Sequence, residues 1–554
     1  MNESLATIWE QVAAAVPDQV AIRHRSRSWT YREFDERAAR LAAAFERSGV
    51  AAGARVACYL YNSAAYLETL HAALKLSAVP INVNYRYRQD ELTHLLTDSE
   101  ADVIVFHSSL ADRVAEVLPR LPDLRLVVQV ADEPGEVVAG AVELEDLVAR
   151  ARPLPPRERS GRDELLVYTG GTTGLPKGVV WPHGSLFEAT AFSAYRAAGW
   201  PPPASVEGAV AIAVELMEDG RWTVSLPVVP LMHTTGLFVT IGTLLMGGTV
   251  VFSPSRSLDP PAVLSTVQEE RVTQLVIAGN AVARPLAEEI LRAERAGRPY
   301  DLDSLERITS SGVAWSDDVK RFFLERRPVQ LVEILGASEG GPFATAVTAR
   351  LEDLPSRFLP TEGTKVLLDD DGTEVTPGSD EIGVLAFSGP MPVGYHQDPH
   401  LTATTYRWIG GRRYVIPGDY ATVAADGSIK LLGRGAAVIN TGGEKVYAAE
   451  VEEVLLTHPA VVDCAVVGVP DERWGESVAA VVQLAQEVDG AELIEHVGSR
   501  LAGYKKPRHV VVVDAVRRGP NGKLELRWAR ELAAERIAAS PAGPGTHRSQ
   551  EGGR

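Results

Sequence analysis

Cysteine is nearly missing from this chain: 554 residues contain two, Cys58 and Cys464, at opposite ends and without metal-ligand spacing. A disulfide framework and a zinc site are therefore excluded as organising features. Long apolar runs are missing too. The most apolar stretch, LFVTIGTLLMGGTVVF (237–252), falls short of the ~20 residues that span a bilayer and carries glycines. It reads as a buried helix followed by a strand. Cationic excess is also lacking, since 55 Lys and Arg face 73 Asp and Glu, for a formal charge of −18. That balance argues against nucleic acid or an anionic membrane as partner. Any anionic ligand must be held by locally placed cations or a metal. The opening MNESLATIWEQ is acidic and has no apolar core segment, so no secretory signal is expected and a reducing cytoplasm is the expected address.

What is present describes a globular chain, 45% hydrophobic and 23% charged. Its length exceeds what one core sustains, which predicts at least two domains. Residues 29–48 place apolar positions at helical spacing and end at Gly49. RVACYLYNS then reads as a strand, AAYLETLHAALKLS as a helix and AVPINVNY as the next strand. The same alternation returns at 261–279 and 317–335. Strands alternating with helices imply parallel pairing and an α/β class of layered sheets. Near 380 the texture changes to short β-rich pieces with Gly-Asp and Asp-Gly turns, as expected of antiparallel strands. After Gly433 comes KVYAAEVEEVLLTHPAVVDCAVVGVPD, read as a helix and a strand, and a domain boundary is placed at 433–437. The tail SPAGPGTHRSQEGGR lacks periodicity and apolar content and is expected to be disordered.

One loop stands apart. YTGGTTGLPKG (168–178) sets glycines, threonines and one lysine at the end of an apolar run. Bare backbone N–H groups and hydroxyls converging on one point form an anion cradle, and a lysine adds a point charge. Glycine lets the backbone approach phosphate oxygens closely. The Walker spacing is absent, because Lys177 lies between Pro176 and Gly178. From composition alone the alternative is a flexible surface loop.

The full string resembles the phosphate-binding signature of the adenylate-forming superfamily: acyl-CoA synthetases, aryl-CoA ligases, luciferases and nonribosomal adenylation domains. Further resemblances follow in that family's order. ALKLSAVPINVNY (73–85) is similar to its second motif, PLMHTTG (230–236) to the substrate-entrance segment, and SSGVAW (310–315) to the adenine segment. LGASE (335–339) resembles the YG-x-TE motif and PGDY (417–420) the ribose-binding TGD motif. GRGAAVINTGGEKVYAAEVE (433–452) resembles the hinge motif and PNGK (520–523) the final lysine motif. The segment 433–476 together with YTGGTTGLPKGVVW looks most like the actinobacterial acyl-CoA synthetases of lipid and steroid side-chain degradation.

The resemblance implies a large N-terminal adenylation domain over 1–433 that includes a β-rich subdomain. A small mobile α+β domain over 434–537 and a disordered tail over 538–554 would follow. It implies ATP and Mg²⁺ as cofactors and CoA as co-substrate. Thr169, Gly170, Gly171, Thr172, Thr173, Gly174 and Lys177 would hold the β- and γ-phosphates. Gly312, Val313, Ala314 and Leu335 would line the adenine site. Ser338 would contact the α-phosphate and Glu339 would bind Mg²⁺, a hard cation that suits a carboxylate combined with phosphate oxygens. Asp419, an acceptor with two oxygens, would take both ribose hydroxyls, and Arg434 would contact ribose or phosphate. Lys523 would neutralise charge growing on the α-phosphate and carboxylate. His233, Gly336 and Ala337 would border the substrate, Gly442 and Gly443 would line the pantetheine tunnel, and Ala436 would sit at the hinge.

Two departures stand out. Leu335 replaces the tyrosine that stacks on adenine, and Ala436 with Ala437 replaces the polar hinge pair. His233, beside Met232, also suits an ordinary core histidine. Three functions stay open at this level. One is ligation of a carboxylic acid to CoA. Another is activation of an acid or related oxyanion for a different acceptor, as in amide formation or nitrite-dependent diazotisation. The third is a non-catalytic nucleotide-binding relative.

Overall fold

The computed structural model describes residues 3–169, 176–313, 315–368, 371–434, 438–441, 444–471, 475–501, 503–519, 524–539 and 546–548. It falls into two compact units. The first joins Met1–Gly363 to Phe387–Val415, and the second joins Thr364–Ala386 to Ile416–Arg554.

Two large sheets build the first unit. One orders its strands Leu359–Pro360, Gly340–Thr348, Gln330–Ala337, Arg307–Ser311, Gln274–Ile277, Val224–Pro227, Thr249–Phe252, Val20–His24 and Arg27–Thr30. The other orders Gly394–Tyr395, Lys177–Pro182, Glu164–Thr169, Val79–Asn82, Arg55–Tyr59, Val103–His107, Leu126–Val130 and Val142–Glu143. Both are parallel through the middle and antiparallel at the 330–348 and 164–182 ends.

The apolar strands explain the layering, because side chains alternate across a sheet and both faces here are covered. Val56, Cys58, Val103 and Val105 join a central core with the helices Leu5–Ala15, Tyr31–Arg47, Ala64–Lys75 and Thr234–Leu245. Their neighbours Ala57, Tyr59, Ile104 and Phe106 face a second core under Gln89–Asp98 and Ala111–Val117. On the nine-stranded sheet, Val250 and Phe252 face the central core while Val251 and Leu275 face a third under Pro260–Glu269, Gly279–Arg295 and Asp317–Arg326. The layers run helix, sheet, helix, sheet, helix. The apolar segment at 237–252 is a buried helix and strand, Thr234–Leu245 and Thr249–Phe252. No helix among the described residues is long and apolar enough to cross a membrane.

Trp29 and Thr30, expected in a helix, lie in the strand Arg27–Thr30 instead. The helix Tyr31–Arg47 starts after them because Thr30 caps it. The Thr30 hydroxyl accepts from Glu33 N at 3.2 Å and Glu33 accepts from Thr30 N at 2.8 Å.

In the second unit, Gly383–Phe387, Asp419–Val423 and Ile429–Arg434 pair antiparallel, with the Asp426-Gly427 turn between the last two. This unit also takes in Thr364–Ala386 and residues 416–433, which the sequence reading above gives to the larger domain. A further sheet carries Val461–Asp471, Gly475–Leu484 and His509–Val513, with apolar cores on both faces. The block after Gly433 opens with two strands, Val438–Thr441 and Glu444–Tyr447, ahead of the helix Ala448–Leu456. Within the tail read as disordered, Thr546–Arg548 pairs parallel with Val510–Val512, where the strand edge offers free backbone groups.

Candidate active site

The strands Glu164–Thr169 and Lys177–Pro182 form a hairpin whose last register pair is Thr169 opposite Lys177. The backbone therefore delivers both residues to the mouth of the glycine-threonine loop. Gly170, Gly171, Thr172, Thr173 and Gly174 lie outside the described residues. Lys177 Nζ sits 3.1 Å from Asp398 Oδ2, and each side chain is about one-third exposed (35% and 34%). Pairs this open are worth about 0–1 kcal/mol, so the lysine can be recruited by a stronger anion. Asp398 itself is fixed, since its Oδ1 accepts from Leu401 N at 2.8 Å and caps a short helix. That hydrogen bond first, and Lys177 with it, hold the Asp398 carboxyl below the usual range.

Ser338 and Glu339 occupy a two-residue turn, because Gln330–Ala337 returns as Gly340–Thr348 with Ala337 opposite Gly340. Three aromatic donors hold this turn. Trp181 Nε1 donates to Ser338 O at 2.9 Å, Tyr406 OH to Glu339 O at 2.9 Å, and Tyr395 OH to Glu339 Oε1 at 2.8 Å. Burial, with Glu339 nearby, pushes the Tyr406 phenol far above its ordinary value, so it remains a neutral donor. Gly340 follows with φ +156°, and a Cβ there would lie 2.7 Å from Val415 Cγ1. The turn is therefore packed from behind while Glu339 is held in front.

Gly312 and Val313 come directly after the strand Arg307–Ser311, which pairs with Gln330–Ala337 and brings Ser311 opposite Ile334. Ser311 Oγ donates to Ile334 O at 2.8 Å. The adenine candidates Gly312, Val313 and Leu335 thus sit at neighbouring strand ends. Gly312 has φ +82°, a left-handed conformation that favours glycine, and Val313 packs against the third core. Gly336 is exposed and Ala337 half-buried. A Cβ at Gly336 would meet only Ile334 Cγ2, at 4.0 Å, so the space beside it is open. Ala314 lies outside the described residues.

His233 occupies the N-cap position of Thr234–Leu245, without a side-chain capping hydrogen bond. The turn that presents it is tight: His233 N donates to Pro230 O at 3.1 Å, and a Cβ on Gly236 would lie 2.6 Å from that same carbonyl. Gly236→Ala is expected to destabilise the first unit by about 1–3 kcal/mol through overpacking against rigid backbone. Urea denaturation would measure it, and an unchanged midpoint would contradict the contact.

In the second unit, Asp419 and Arg434 are direct register partners on antiparallel strands. The two ribose candidates are thereby brought side by side in the backbone. Lys523, Ala436, Gly442 and Gly443 lie outside the described residues.

Sequence reasoning missed three contributors. Tyr395 and Asp398 share the segment 394–398, which pairs with the lysine strand (Gly394 opposite Val180, Tyr395 opposite Val179). One short piece of chain therefore reaches both Glu339 and Lys177. Its text, GYHQDP, carries a helix-cap signal in Asp-Pro that could have marked Asp398. The third is Asn82, buried, which accepts from Tyr168 N at 2.6 Å and donates to Tyr168 O and Met232 O. It ties the base of the glycine-threonine loop to the His233 segment. Among the described residues no three His, Cys, Asp or Glu side chains form a metal cage. A single buried carboxylate fits Mg²⁺, which usually combines one or two carboxylates with phosphate oxygens and water.

The AMP-binding enzyme family matches residues 9–395, and the AMP-binding enzyme C-terminal domain matches 450–523. A medium/long-chain-fatty-acid and 3-oxocholest-4-en-26-oate CoA ligase of Mycolicibacterium smegmatis is 38% identical, covering 97% of this chain and 98% of its own. The amide bond synthetase McbA of Marinactinospora thermotolerans superposes with TM-score 0.78 at 26% identity, covering 96% of this chain and 99% of that one. The anthranilate CoA ligase AuaEII shares the fold, with TM-score 0.80 at 24% identity over 98% of this chain and 99% of that one.

Proposed function

This chain belongs to the AMP-binding enzyme family, and we propose that it is an ATP-dependent ligase joining a medium- or long-chain apolar carboxylic acid to coenzyme A. One observation carries the reading: segment 394–398 reaches the lysine of the phosphate loop with Asp398 and the turn carboxylate with Tyr395. A cation and a carboxylate held in that way suit a nucleotide triphosphate and its metal.

In the first half-reaction the acid's carboxylate oxygen attacks the α-phosphorus of ATP and pyrophosphate leaves. Thr169 and Lys177 hold the outgoing phosphates, with Lys177 exchanging Asp398 for phosphate oxygens. Ser338 contacts the α-phosphate. Mg²⁺ at Glu339 supplies charge neutralisation to the phosphates when bound. Asp419 and Arg434 take the ribose, Gly312, Val313 and Leu335 the base, and Lys523 the charge that grows during attack. In the second half-reaction the CoA thiol attacks the acyl carbon and loses its proton, AMP leaves, and a thioester forms. Residues 434–537 alternate between poses for the two halves, with Ala436 at the hinge and Gly442 and Gly443 leaving room for the pantetheine arm.

Support for an apolar acid comes from the mycobacterial relative's named substrates and from the open space at Gly336. The test supplies acetate, benzoate, octanoate, palmitate and a sterol side-chain acid to the full chain. Pyrophosphate exchange into ATP is expected with the longer acids, and AMP release with thioester formation only when CoA is added. ADP as product would refute adenylation. Turnover with an amine or nitrite, and no thioester with any acid, would transfer the reading to another acceptor.

A further inference from the structure

Glutamate carries several rotatable bonds and loses much freedom when fixed. A carboxylate that must meet a small, geometrically demanding cation gains from being fixed in advance. The turn at Ser338–Glu339 has its two carbonyls held by Trp181 and Tyr406, which orient the backbone and leave the glutamate side chain to be set separately. Tyr395 is placed to do that, with its hydroxyl 2.8 Å from Glu339 Oε1. The tyrosine is itself anchored at both backbone and ring. Its N–H donates to Thr402 Oγ1 at 2.9 Å, and its ring meets Tyr406 edge-on at 6.2 Å between centroids.

We propose that Tyr395 is a positioning residue for the metal-binding carboxylate: its hydroxyl holds Glu339 in the orientation that receives the divalent cation of Mg·ATP. The proposal rests on the assignment of Glu339 made above. Tyrosine and phenylalanine fill nearly the same space, so a packing role survives Tyr395→Phe and a positioning role does not.

The experiment measures calorimetric affinity of the full chain for α,β-methylene-ATP, which cannot transfer its adenylyl group, once with Mg²⁺ and once with chelator. In Tyr395→Phe the affinity with Mg²⁺ is expected to fall roughly 10-fold, the scale of one hydrogen bond to a charged group. Affinity under chelator should be unchanged. The Mg²⁺ concentration giving half-maximal pyrophosphate exchange should rise by a similar factor, with the rate at saturating Mg²⁺ largely retained. Each affinity ratio is read on one preparation, so partial misfolding does not mimic the effect. Glu339→Gln should abolish the metal-dependent part of the affinity. If Tyr395→Phe keeps the wild-type metal dependence while Glu339→Gln loses it, the positioning role is refuted and the Glu339 assignment stands. Wild-type metal dependence in Glu339→Gln would refute both. Equal losses with and without metal in Tyr395→Phe would mean general distortion and also refute the proposal.

Discussion

Lys523→Ala is expected to slow acyl-adenylate formation by about 10²–10³-fold, the effect of removing one preorganised electrostatic donor from a transition state. Consumption of synthetic acyl-adenylate with CoA should be nearly unaffected, because the role proposed for the lysine lies only in the first half-reaction. The described residues that flank 520–523 in sequence are firmly held, so the loss should not come from unfolding. Arg518 bridges to Leu524, Glu525 N donates to Arg517 O at 3.1 Å, and Arg518 Nε and Nη2 reach the Asp463 carboxylate at 2.7 and 2.6 Å. Single-turnover measurement of each half-reaction separates the outcomes. Equal loss in both would count against a lysine that acts in one pose.

The second large effect is structural. Asn82→Ala is expected to destabilise the first unit by about 3–9 kcal/mol. Three buried backbone groups lose their partner at once: Tyr168 N–H, Tyr168 O and Met232 O. Each unsatisfied buried group costs about 1–3 kcal/mol, and Tyr168 and Met232 are both buried too deeply for easy hydration. Only an amide can serve this place, since it must accept from one N–H and donate to two carbonyls. Urea denaturation followed by tryptophan fluorescence gives the stability change. Because the side chain couples the strand before the glycine-threonine loop to the His233 segment, the proposed function predicts that KM for ATP and for the acid rise together in the surviving protein. A change below about 1 kcal/mol would mean that water replaces the amide.

Much of the α/β layering was legible because strands covered on both faces are apolar nearly throughout, as VIVF at 103–106 and LVI at 275–277 display. The glycine-threonine motif at 168–178 stands out in the sequence because its residues are contiguous. Tyr395 and Asp398 do not, since their partners lie 56 and 221 residues away in sequence. Neither pairing has a local signature; only the sheet pairing of 394–395 with 179–180 creates them. Asn82 escaped for the opposite reason: inside PINVNY it reads as one more strand residue, and its value depends on which two backbones it bridges. The strands Val438–Thr441 and Glu444–Tyr447 were hidden by the Gly442-Gly443 pair between them, which draws attention as a ligand channel before it suggests a connection between strands. The Thr30–Glu33 capping box was available in the sequence and overlooked, so apolar spacing ran the helix two residues too early.

The make-up of the second unit has a consequence during synthesis. The strand Gly383–Phe387, all but its last residue in this unit, pairs with Asp419–Val423, Val384 lying opposite Tyr420, yet Phe387–Val415 belongs to the first unit. At about 5–20 residues per second, a ribosome needs roughly 2–7 seconds to make the chain between those partners. Throughout that interval the apolar strand GVLAF has Thr364–Leu367 beside it but lacks Asp419–Val423 on its other edge, and unpaired strand edges are where chains aggregate. Slowing translation across 387–419 should therefore lower the soluble yield, whereas slowing it after Arg434, once all three of these strands exist, should not.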